Sequence, residues 1–337
     1  MAFEENEISL KSHGGTEMMK RGLAERLPPG LADDFQVICS RVRDLDDEKI
    51  RVYWLHDLPE DPETDHMRYS FSRDRFQKNV FCSQWQYSRY QAVLGVPYDD
   101  KSIIIETAID PLESVVKSKN EIRLIYTSTP QRGLAILVPV FEELAKQYDN
   151  IVLDVFSSFQ IYGWDAADKP YEDLFERCRQ HPKINYHGYA SNETVRQHLL
   201  AAHIHAYPSI WQECNSRSVI EAMSAGALCV HPNFAGLPDT TGGMTMMYQG
   251  HSDHNIHANI FYQALGHAIE TVNDDETQNY LKFVKTYADN RFNWNRISSQ
   301  WEGLLNQLKG QYPTLESRAL PKVDSQGKPI GKFVYQT

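Results

Sequence analysis

The sequence predicts two α/β domains, each built on a parallel sheet. Short runs of β-branched and aromatic residues alternate with helical segments along most of the chain, which is the pattern of parallel strands joined by crossover helices. The chain has 337 residues, of which 41% are hydrophobic and 23% charged. This composition is typical of globular proteins, and the length suits two domains of ordinary size. A wholly disordered, collagen-like or coiled-coil chain is excluded.

The first stretch of the chain contains four predicted strands. Each is followed by a polar or helical segment, as in a parallel sheet. The predicted strands are 35–40, 50–55, 80–82 and 102–105. We assign residues 1–115 to the first domain, because Pro111 and the charged run 117–121 separate this stretch from the next one.

The second stretch repeats the pattern over more strands. Leu134, Leu137 and Phe141 recur at helical spacing between two of them, and Pro139 is expected to kink that helix. The predicted strands are 122–126, 151–156, 184–186, 203–207 and 228–231. This stretch, residues 116–296, is the second predicted domain.

The character of the sequence changes near the C-terminus. One more helix is predicted at 297–308, and residues 309–337 then carry three prolines and three glycines with little periodicity. Phe333, Val334 and Tyr335 form an apolar group that would anchor this segment to the rest of the protein. We predict a tail that packs as a strap, with a free solvated end as the alternative.

Charge and cysteine content exclude several classes of protein. Lys and Arg number 34 against 45 Asp and Glu, a net charge of −11, so there is no general attraction to nucleic acid or anionic lipid. The five cysteines are scattered and never spaced as C-x-x-C, which argues against a disulfide framework or a zinc site. The chain has no apolar run of membrane-spanning length and no secretion signal at its start. We expect a cytoplasmic protein.

The segment 207–243 is the most informative part of the chain. Glu213 lies in a loop after a predicted strand, and Glu221 lies on a helix that begins near Ser216. The exposed N–H groups and positive dipole end of such a helix form an anion site, so a phosphate could dock there while the carboxylates bind sugar hydroxyls. The spacing alone fits equally a Glu221 that is a solvated helix residue.

This segment resembles the E-x7-E signature of the retaining GT-B glycosyltransferases, also called glycosyl transferases group 1. The matching residues are Pro208, Ser209, Glu213, Glu221, Ala222, Met223, Gly226, Gly236, Pro238 and Asp239. The resemblance covers roughly residues 12–308, and the short chain is similar in size to phage and viral members of the family. It implies a GT-B fold, with two facing Rossmann-like domains, the active site in the interdomain cleft, and a helix in the segment 297–337 that crosses back to the N-terminal domain.

The resemblance implies roles for both glutamates. Glu213 would face the donor sugar, and Glu221 would hydrogen-bond the ribose of the nucleotide. Backbone N–H groups at the helix start would bind the diphosphate. The residues that supply them are Asn215, Ser216, Arg217 and Ser218. The family has glycine in place of Ser216 and an apolar residue in place of Asn215, so the resemblance leaves the transferred sugar open.

A basic residue follows the first predicted strand of the second domain. Arg132 matches the second of two basic residues that, in the family, offset the charge of the leaving diphosphate. Thr127 stands where the first is expected, and Ser128 and Thr129 are assigned to donor binding. A surface arginine at a helix start is the alternative for Arg132.

A loop that follows the predicted strand 184–186 is assigned to the nucleotide base. His187, Gly188 and Tyr189 stand where the family has a strand that ends in a glycine beside the base. This assignment depends on the resemblance alone.

Two N-terminal features also match the family. Gly14 and Gly15 correspond to a Gly-Gly loop whose backbone approaches the donor phosphates, ahead of a helix predicted at 18–27. His56 follows the strand 50–55 and would touch the sugar or the acceptor, although a structural histidine fits this position equally well. About twelve residues precede this loop and residues 4–11 lack the pattern of a buried strand, so we expect a trimmed N-terminal domain.

The function implied is transfer of a hexose from a nucleotide diphosphate sugar to an acceptor hydroxyl, with retention of configuration. UDP-glucose is the favoured donor, the acceptor is a glycan, a protein or a modified nucleic acid, and no cofactor or metal is expected because no D-x-D motif follows a suitable strand. Two alternatives remain: an inactive GT-B protein that binds a nucleotide sugar, and a nucleotide-sugar epimerase of the same fold. If the protein is viral, its compartment is the host cytoplasm.

Overall fold

A computed structural model describes residues 12–323 of the chain. The chain divides into two units: the first contains Gly15–Ala108 and the chain from Trp294 onward, and the second contains Ile109–Asn293 and the residues just before Gly15. The unit boundaries therefore lie between residues 108 and 109 and between residues 293 and 294, whereas the sequence analysis placed them between 115 and 116 and between 296 and 297. Residues 109–115 belong to the second unit, because Ile109 donates its N–H to the carbonyl of Phe292 and Leu112 is buried in the core of that unit.

Both units contain a parallel sheet. The first has β1 (Phe35–Cys39), β2 (Ile50–Leu55), β3 (Lys78–Phe81) and β4 (Ser102–Ile104), hydrogen-bonded in that order. The second has β5 (Ile122–Thr127), β6 (Ile151–Phe156), β7 (Ile184–Tyr186), β8 (Ile204–Ala206), β9 (Leu228–Pro232) and β10 (Met246–Tyr248). Its strand order is β10-β9-β8-β5-β6-β7. The sequence analysis found every strand except β10.

Twelve α-helices surround these sheets within the described residues. They are α1 (Gly15–Arg26), α2 (Ser70–Arg73), α3 (Gln84–Leu94), α4 (Leu134–Leu144), α5 (Glu172–Gln180), α6 (Asn192–Ala201), α7 (Arg217–Ser224), α8 (Leu237–Thr241), α9 (His254–Thr271), α10 (Asp275–Arg291), α11 (Trp294–Gln311) and α12 (Leu315–Arg318). Helix α1 begins at Gly15, before the expected residue 18, and Pro139 lies inside α4. From residue 12 to residue 323, no helix has the length and apolar character needed to cross a membrane.

Strand β2, in the interior of the first sheet, is buried on both faces, as expected of a parallel sheet covered by helices. All six residues of β2 are buried. Trp54 packs on one face against Trp301 of α11, whereas Tyr53 packs on the other against Phe76. This arrangement explains why β2 reads as a continuous hydrophobic run with one arginine, Arg51.

The segment after residue 308 is more regular than expected. Helix α11 continues to Gln311, and α12 follows it. Arg318 of α12 pairs with Asp34 at 3.1 Å, and its carbonyl accepts a hydrogen bond from the buried Arg51 at 2.6 Å. The first part of the predicted strap therefore packs on the first unit; Phe333, Val334 and Tyr335 lie outside the described residues.

Candidate functional site

The second sheet has a topological switch point at β5. Strand β5 lies between β8 and β6, so the loops that follow β5 and β8 leave the sheet in opposite directions. Ligands of open α/β sheets bind in the crevice that forms at the carboxyl ends of such strands. Arg132 lies on the loop after β5 and Glu213 on the loop after β8, which places both candidates at this position.

Arg132 and Glu213 form a partly buried ion pair at the switch point, with side chains 24% and 9% exposed. The Arg132 Nη1 donates to Glu213 Oε1 at 2.8 Å, and the hydroxyl of Tyr207 donates to the same oxygen. The Arg132 Nη2 also contacts the hydroxyl of Tyr162 at 3.4 Å. Burial alone would lower the pKa of Arg132, but the Glu213 carboxylate holds it above its ordinary value. Arg132 is therefore a permanent cation and not a surface arginine.

Two glycines let the loops of this site come close together. A Cβ on Gly133, whose φ is +141°, would lie 2.3 Å from the carbonyl oxygen of Pro208, so only glycine lets the β5 loop approach the β8 loop here. A Cβ on Gly236 would lie 2.5 Å from the carbonyl of Glu213, which accepts the Gly236 N–H at 2.9 Å. These glycines fix the backbone on both sides of the ion pair.

The helix α7 places Glu221 in a buried position. Its side chain is 5% exposed, and the interpretation of Glu221 as a solvated helix residue is wrong. Arg217 Nη2 and Arg196 Nη1 both bond Glu221 Oε1, at 3.0 and 3.2 Å. The nearest described partner of Oε2 is Asn192 Nδ2 at 3.5 Å, which is a long hydrogen bond. One carboxylate oxygen is thus held by two cations while the other has capacity to accept.

A neutral hydrogen-bonded group occupies the position of the missing cation. Thr127 Oγ1 lies 2.6 Å from Ser218 Oγ, which in turn lies 3.0 Å from His205 Nε2. Burial, reinforced by the nearby His231, lowers the pKa of His205 to about 3. This histidine is uncharged at neutral pH, so Thr127, Ser218 and His205 supply no positive charge. Ser216 precedes α7 without a side-chain capping bond, and Asn215 Nδ2 bonds Thr240 Oγ1 at 3.2 Å.

The residues assigned between Thr127 and Arg132 line the same loop. Ser128 Oγ lies 3.5 Å from the hydroxyl of Tyr207. Thr129 is buried, and its Oγ1 has no hydrogen-bond partner among the described residues.

The loop after β7 brings two aromatic rings together. Gly188 has a left-handed backbone with φ +62°, and the following Tyr189 is partly exposed. The ring of Tyr189 lies 6.2 Å from that of His13, and the backbone N–H of His13 donates to the carbonyl of Ile161 at 2.7 Å. The chain just before Gly14 therefore lies beside the loop assigned to the base.

His187 has a different environment from the one that its assignment implies. Its ring stacks on Phe156 at 4.3 Å, and its Nε2 lies 3.0 Å from Asp154 Oδ1. Burial would raise the pKa of Asp154, but hydrogen bonds from His187 and Arg123 lower it overall. The His187 side chain is thus held against the sheet, and its assignment to donor binding can apply only to the backbone or the ring edge.

Asp154, His187 and His198 are the one group of three metal-ligating side chains close together in the part of the chain described, with ligand atoms within 4.8 Å of one another. Arg123 Nη1 donates to Asp154 Oδ2 at 2.7 Å, and Asn185 donates to Oδ1 at 3.0 Å. The adjacent guanidinium opposes a cation electrostatically. These bonds account for the cluster as a hydrogen-bonded network.

His56 belongs to the first unit, at the carboxyl end of β2. Its Nδ1 lies 3.7 Å from Cys82 Sγ, and its Nε2 is buried with no hydrogen-bond partner among the described residues. Burial, with a contribution from Lys20, lowers the pKa of His56 to about 3. A neutral imidazole with an unpaired nitrogen can bond a substrate hydroxyl, but it has no positive charge with which to offset the negative charge of a phosphate.

Four contributors to the site were missed by the sequence analysis: Tyr207, Tyr162, Arg196 and Gly133. Tyr207 directly precedes the Pro-Ser pair, and Gly133 directly follows Arg132, so position relative to the motif was a usable signal for both. Arg196 and Tyr162 lie far from their partners in sequence, and no local pattern marks them.

Comparisons with known proteins agree with this architecture. Residues 122–261 match the family described as "Glycosyl transferases group 1". No curated protein is detectably similar in sequence. A crystal structure of a glycosyltransferase from Rickettsia africae is similar with a TM-score of 0.65 and 14% identity, over 87% of this chain and 80% of that one.

Two further solved structures are similar. HepE from Anabaena, in complex with UDP and glucose, has a TM-score of 0.57 and 17% identity, over 77% of this chain and 72% of that one. Sucrose-phosphate synthase from Thermosynechococcus elongatus has a TM-score of 0.57 and 16% identity, over 78% of this chain and 68% of that one.

The two parallel-sheet units and these structural likenesses define a protein of the GT-B fold, as the sequence predicted. The segment 122–261, which carries Arg132, Glu213 and Glu221, matches the glycosyl transferases group 1 family, and the protein is a glycosyltransferase.

Proposed function

We propose that this glycosyltransferase is a retaining enzyme that transfers a hexose from a nucleotide diphosphate sugar, with UDP-glucose as donor, to an acceptor hydroxyl. The observation that carries the proposal is the Arg132–Glu213 pair at the switch point of the group 1 domain. The choice of a UDP sugar is supported by HepE, whose crystal structures contain UDP and glucose or UDP-glucose.

In this proposal Arg132 stabilises the leaving diphosphate. Fission of the glycosidic bond moves negative charge onto the phosphate, and a cation already positioned there lowers the barrier without reorganisation. The backbone N–H groups at the start of α7 add to this positive potential. Together they replace a metal ion, so the proposed reaction needs neither a metal nor another cofactor.

Donor binding also prepares Glu213 for the sugar. In the structure Glu213 Oε1 is engaged by Arg132 and Tyr207. A diphosphate that bonds Arg132 competes with this carboxylate, because the guanidinium has a fixed set of donors. Glu213 is then available to accept hydrogen bonds from the sugar hydroxyls, while Tyr207 still holds it in position. Binding of the leaving group and orientation of the sugar are thus coupled.

Glu221 binds the ribose through its second oxygen. Because Arg217 and Arg196 both bond Oε1, Oε2 is the oxygen that can accept from a ribose hydroxyl. The arginines keep the carboxylate ionised and fixed in place, which favours a charge-assisted bond.

Retention is proposed from the resemblance to the family, with front-face attack by the acceptor on an oxocarbenium-like centre. His56, uncharged and with no partner for its Nε2 between residues 12 and 323, is proposed to bond a substrate hydroxyl. None of the five cysteines forms a disulfide, which supports a reducing compartment, and we propose the cytoplasm.

Turnover of UDP-glucose tests the proposal directly. The protein is incubated with UDP-glucose, GDP-mannose or ADP-glucose, and release of the nucleotide is followed with and without added acceptors, while NMR reports the anomeric configuration of the product. We expect release from UDP-glucose with retention. Binding without turnover would indicate an inactive sugar-nucleotide-binding protein, and release of UDP with a new free sugar in the absence of acceptor would indicate an epimerase.

A further inference from the structure

Two helices of the second unit converge on the carboxylate of Glu221. Arg217 lies four residues before Glu221 on α7, and Asn192 lies four residues before Arg196 on α6, so each pair shares one face of its helix. Arg217 Nη2 and Arg196 Nη1 both donate to Oε1 of Glu221, at 3.0 and 3.2 Å. The Asn192 amide lies 3.5 Å from both carboxylate oxygens and is the one partner of Oε2 among the described residues. Both cations are therefore on the same oxygen.

The first oxygen of this carboxylate has no remaining capacity. A carboxylate offers about four positions that accept hydrogen bonds, two on each oxygen. The two guanidinium N–H groups occupy both positions of Oε1. A ribose diol that binds a carboxylate with one hydroxyl on each oxygen needs a free position on Oε1. Only Oε2 is open, and the Asn192 amide already faces it.

A ribose hydroxyl is a weak competitor for the occupied oxygen. The Glu221 side chain is 5% exposed and that of Arg217 is 15% exposed, so little solvent is available to compensate for a broken ion pair. A neutral hydroxyl brings no charge in exchange, unlike the diphosphate proposed to bind Arg132. Arg196 is also held from its other side, because its Nη2 donates to the carbonyl of Asp110 at 2.8 Å. The opposing charges therefore favour an Oε1 that stays closed when a nucleotide binds.

We propose that Glu221 binds one ribose hydroxyl only, through Oε2, and that the enzyme therefore accepts a deoxyribonucleoside diphosphate sugar as donor. The hydroxyl that Glu221 does not bind adds little to the affinity, so a nucleotide that lacks it binds as well as the ribonucleotide. Arg196 and Arg217 determine this specificity, because they close Oε1 to the second hydroxyl. The inference rests on the proposed function, in which the nucleotide lies at Glu221.

Titration with two deoxy analogues counts the hydroxyls that Glu221 binds. The affinities of the full-length protein for UDP, 2′-deoxy-UDP and 3′-deoxy-UDP are measured by isothermal titration. Three variants are titrated in the same way: Arg217→Met, which opens one position on Oε1, Arg217→Lys, which keeps a cation there, and Arg177→Met. The last is the matched control, because Arg177 pairs with Glu142 at the surface and not with Glu221.

We expect one analogue to bind the wild type within about twofold of UDP, and the other to bind at least about tenfold more weakly, since it loses a charge-assisted bond. In Arg217→Met the tolerated analogue should bind about threefold to tenfold more weakly than UDP, because Oε1 can now accept the second hydroxyl. Arg217→Lys and Arg177→Met should keep the wild-type ratios. A ratio within one protein is insensitive to a general loss of stability, and the wild-type titrations count the hydroxyls even if Arg217→Met does not fold.

Losses of equal size with both analogues would show that Glu221 binds both hydroxyls, and would overturn the proposal. Binding of both analogues as tightly as UDP would overturn it too, because Glu221 would then bind neither hydroxyl. An unchanged ratio in a folded Arg217→Met would refute the role assigned to the arginines. If UDP itself does not bind, the proposed donor site fails together with this inference, whereas UDP binding with equal losses removes the inference alone.

Discussion

Replacement of Glu213 by glutamine tests the coupling between the ion pair and the donor. Glutamine keeps the shape of the side chain and an oxygen that can accept from Tyr207, but it leaves Arg132 as a partly buried cation with no anion. A hydrogen bond to a charged group contributes about 1.5–3 kcal/mol, and loss of one partner of a buried pair costs about 3–5 kcal/mol. Because the Arg132 side chain is 24% exposed and the amide keeps one bond, we expect a loss of about 2 kcal/mol in the free energy of unfolding.

The same change should strengthen the binding of the leaving group. In the wild type a diphosphate has to displace the carboxylate from Arg132, and in Glu213→Gln it does not. The affinity for UDP should therefore rise, by up to about tenfold if about 1.4 kcal/mol of the competition is relieved. Transfer should be lost, because the interaction with the sugar in the transition state is weakened.

Chemical denaturation with and without UDP, isothermal titration with UDP, and UDP release from UDP-glucose measure these three quantities. Glu142→Gln is a matched control, since Glu142 pairs with Arg177 at the surface, and such pairs contribute about 0–1 kcal/mol. If Glu213→Gln is as stable as the control, or binds UDP no more tightly than the wild type, the proposed competition is wrong. Full turnover by this variant would refute the role of Glu213.

Four further predictions concern separate parts of the protein. Glu221→Gln should weaken UDP binding by about 1–1.5 kcal/mol, because a charge-assisted bond to ribose (about 1.5–3 kcal/mol) becomes a neutral one (about 0.5–1.5 kcal/mol); an unchanged titration isotherm would exclude ribose binding. Activity should persist in EDTA, since Arg132 and the start of α7 stabilise the diphosphate; loss of activity that Mg²⁺ or Mn²⁺ restores would exclude metal independence. Truncation after Leu308 should lower the Tm, because Arg51 and Asp34 lose Arg318; identical melting curves would contradict this. The free energy of unfolding should fall as the pH decreases from about 6.5 toward 4. The folded pKa values of His205 (about 3) and His231 (about 4) lie below that of an unfolded histidine, so the unfolded chain binds more protons in this range. His205→Gln should make the dependence on pH less steep when denaturation is measured at a series of pH values, and an unaltered slope would argue against this reasoning.

The strands that the sequence predicted well are those that are so completely buried that nearly all their residues are hydrophobic. β2 is buried at every position, and its run of β-branched, aromatic and aliphatic residues left one interpretation. β10 has three residues, two of them methionine, and methionine has no preference for strands, so only the pairing with β9, from Met246–Val230 to Tyr248–Pro232, defines it. Tertiary pairing, which the sequence does not display, decides such short elements.

The sequence predicted the two glutamates of the candidate site but not the residues that pair with them. The E-x7-E spacing located Glu213 and Glu221 because loop and helix geometry are local. Arg132 and Glu213 are 81 residues apart, and Arg196 and Glu221 are 25 apart, so these pairs exist only through the strand order of the sheet. The same limit applies to the burial of Glu221, because a charged residue on an amphipathic helix is usually solvated.

The neutral group at Thr127 leaves the proposed site with fewer cations than the family pattern implies. A lysine or arginine at this position would be directed at Ser218 and at His205, and burial keeps His205 uncharged. Three arginines carry the positive charge near the proposed donor site: Arg132, and the pair Arg196 and Arg217, which both bond Glu221. Arg196 and Arg217 both bond Oε1 of Glu221. The donor does not have to displace them, because its ribose is proposed to bond Oε2. In the proposed mechanism, Arg132 is therefore the one of the three cations that can bind the diphosphate, and it does so by releasing Glu213. Stabilisation of the leaving group would thus be coupled to release of the residue proposed to orient the sugar.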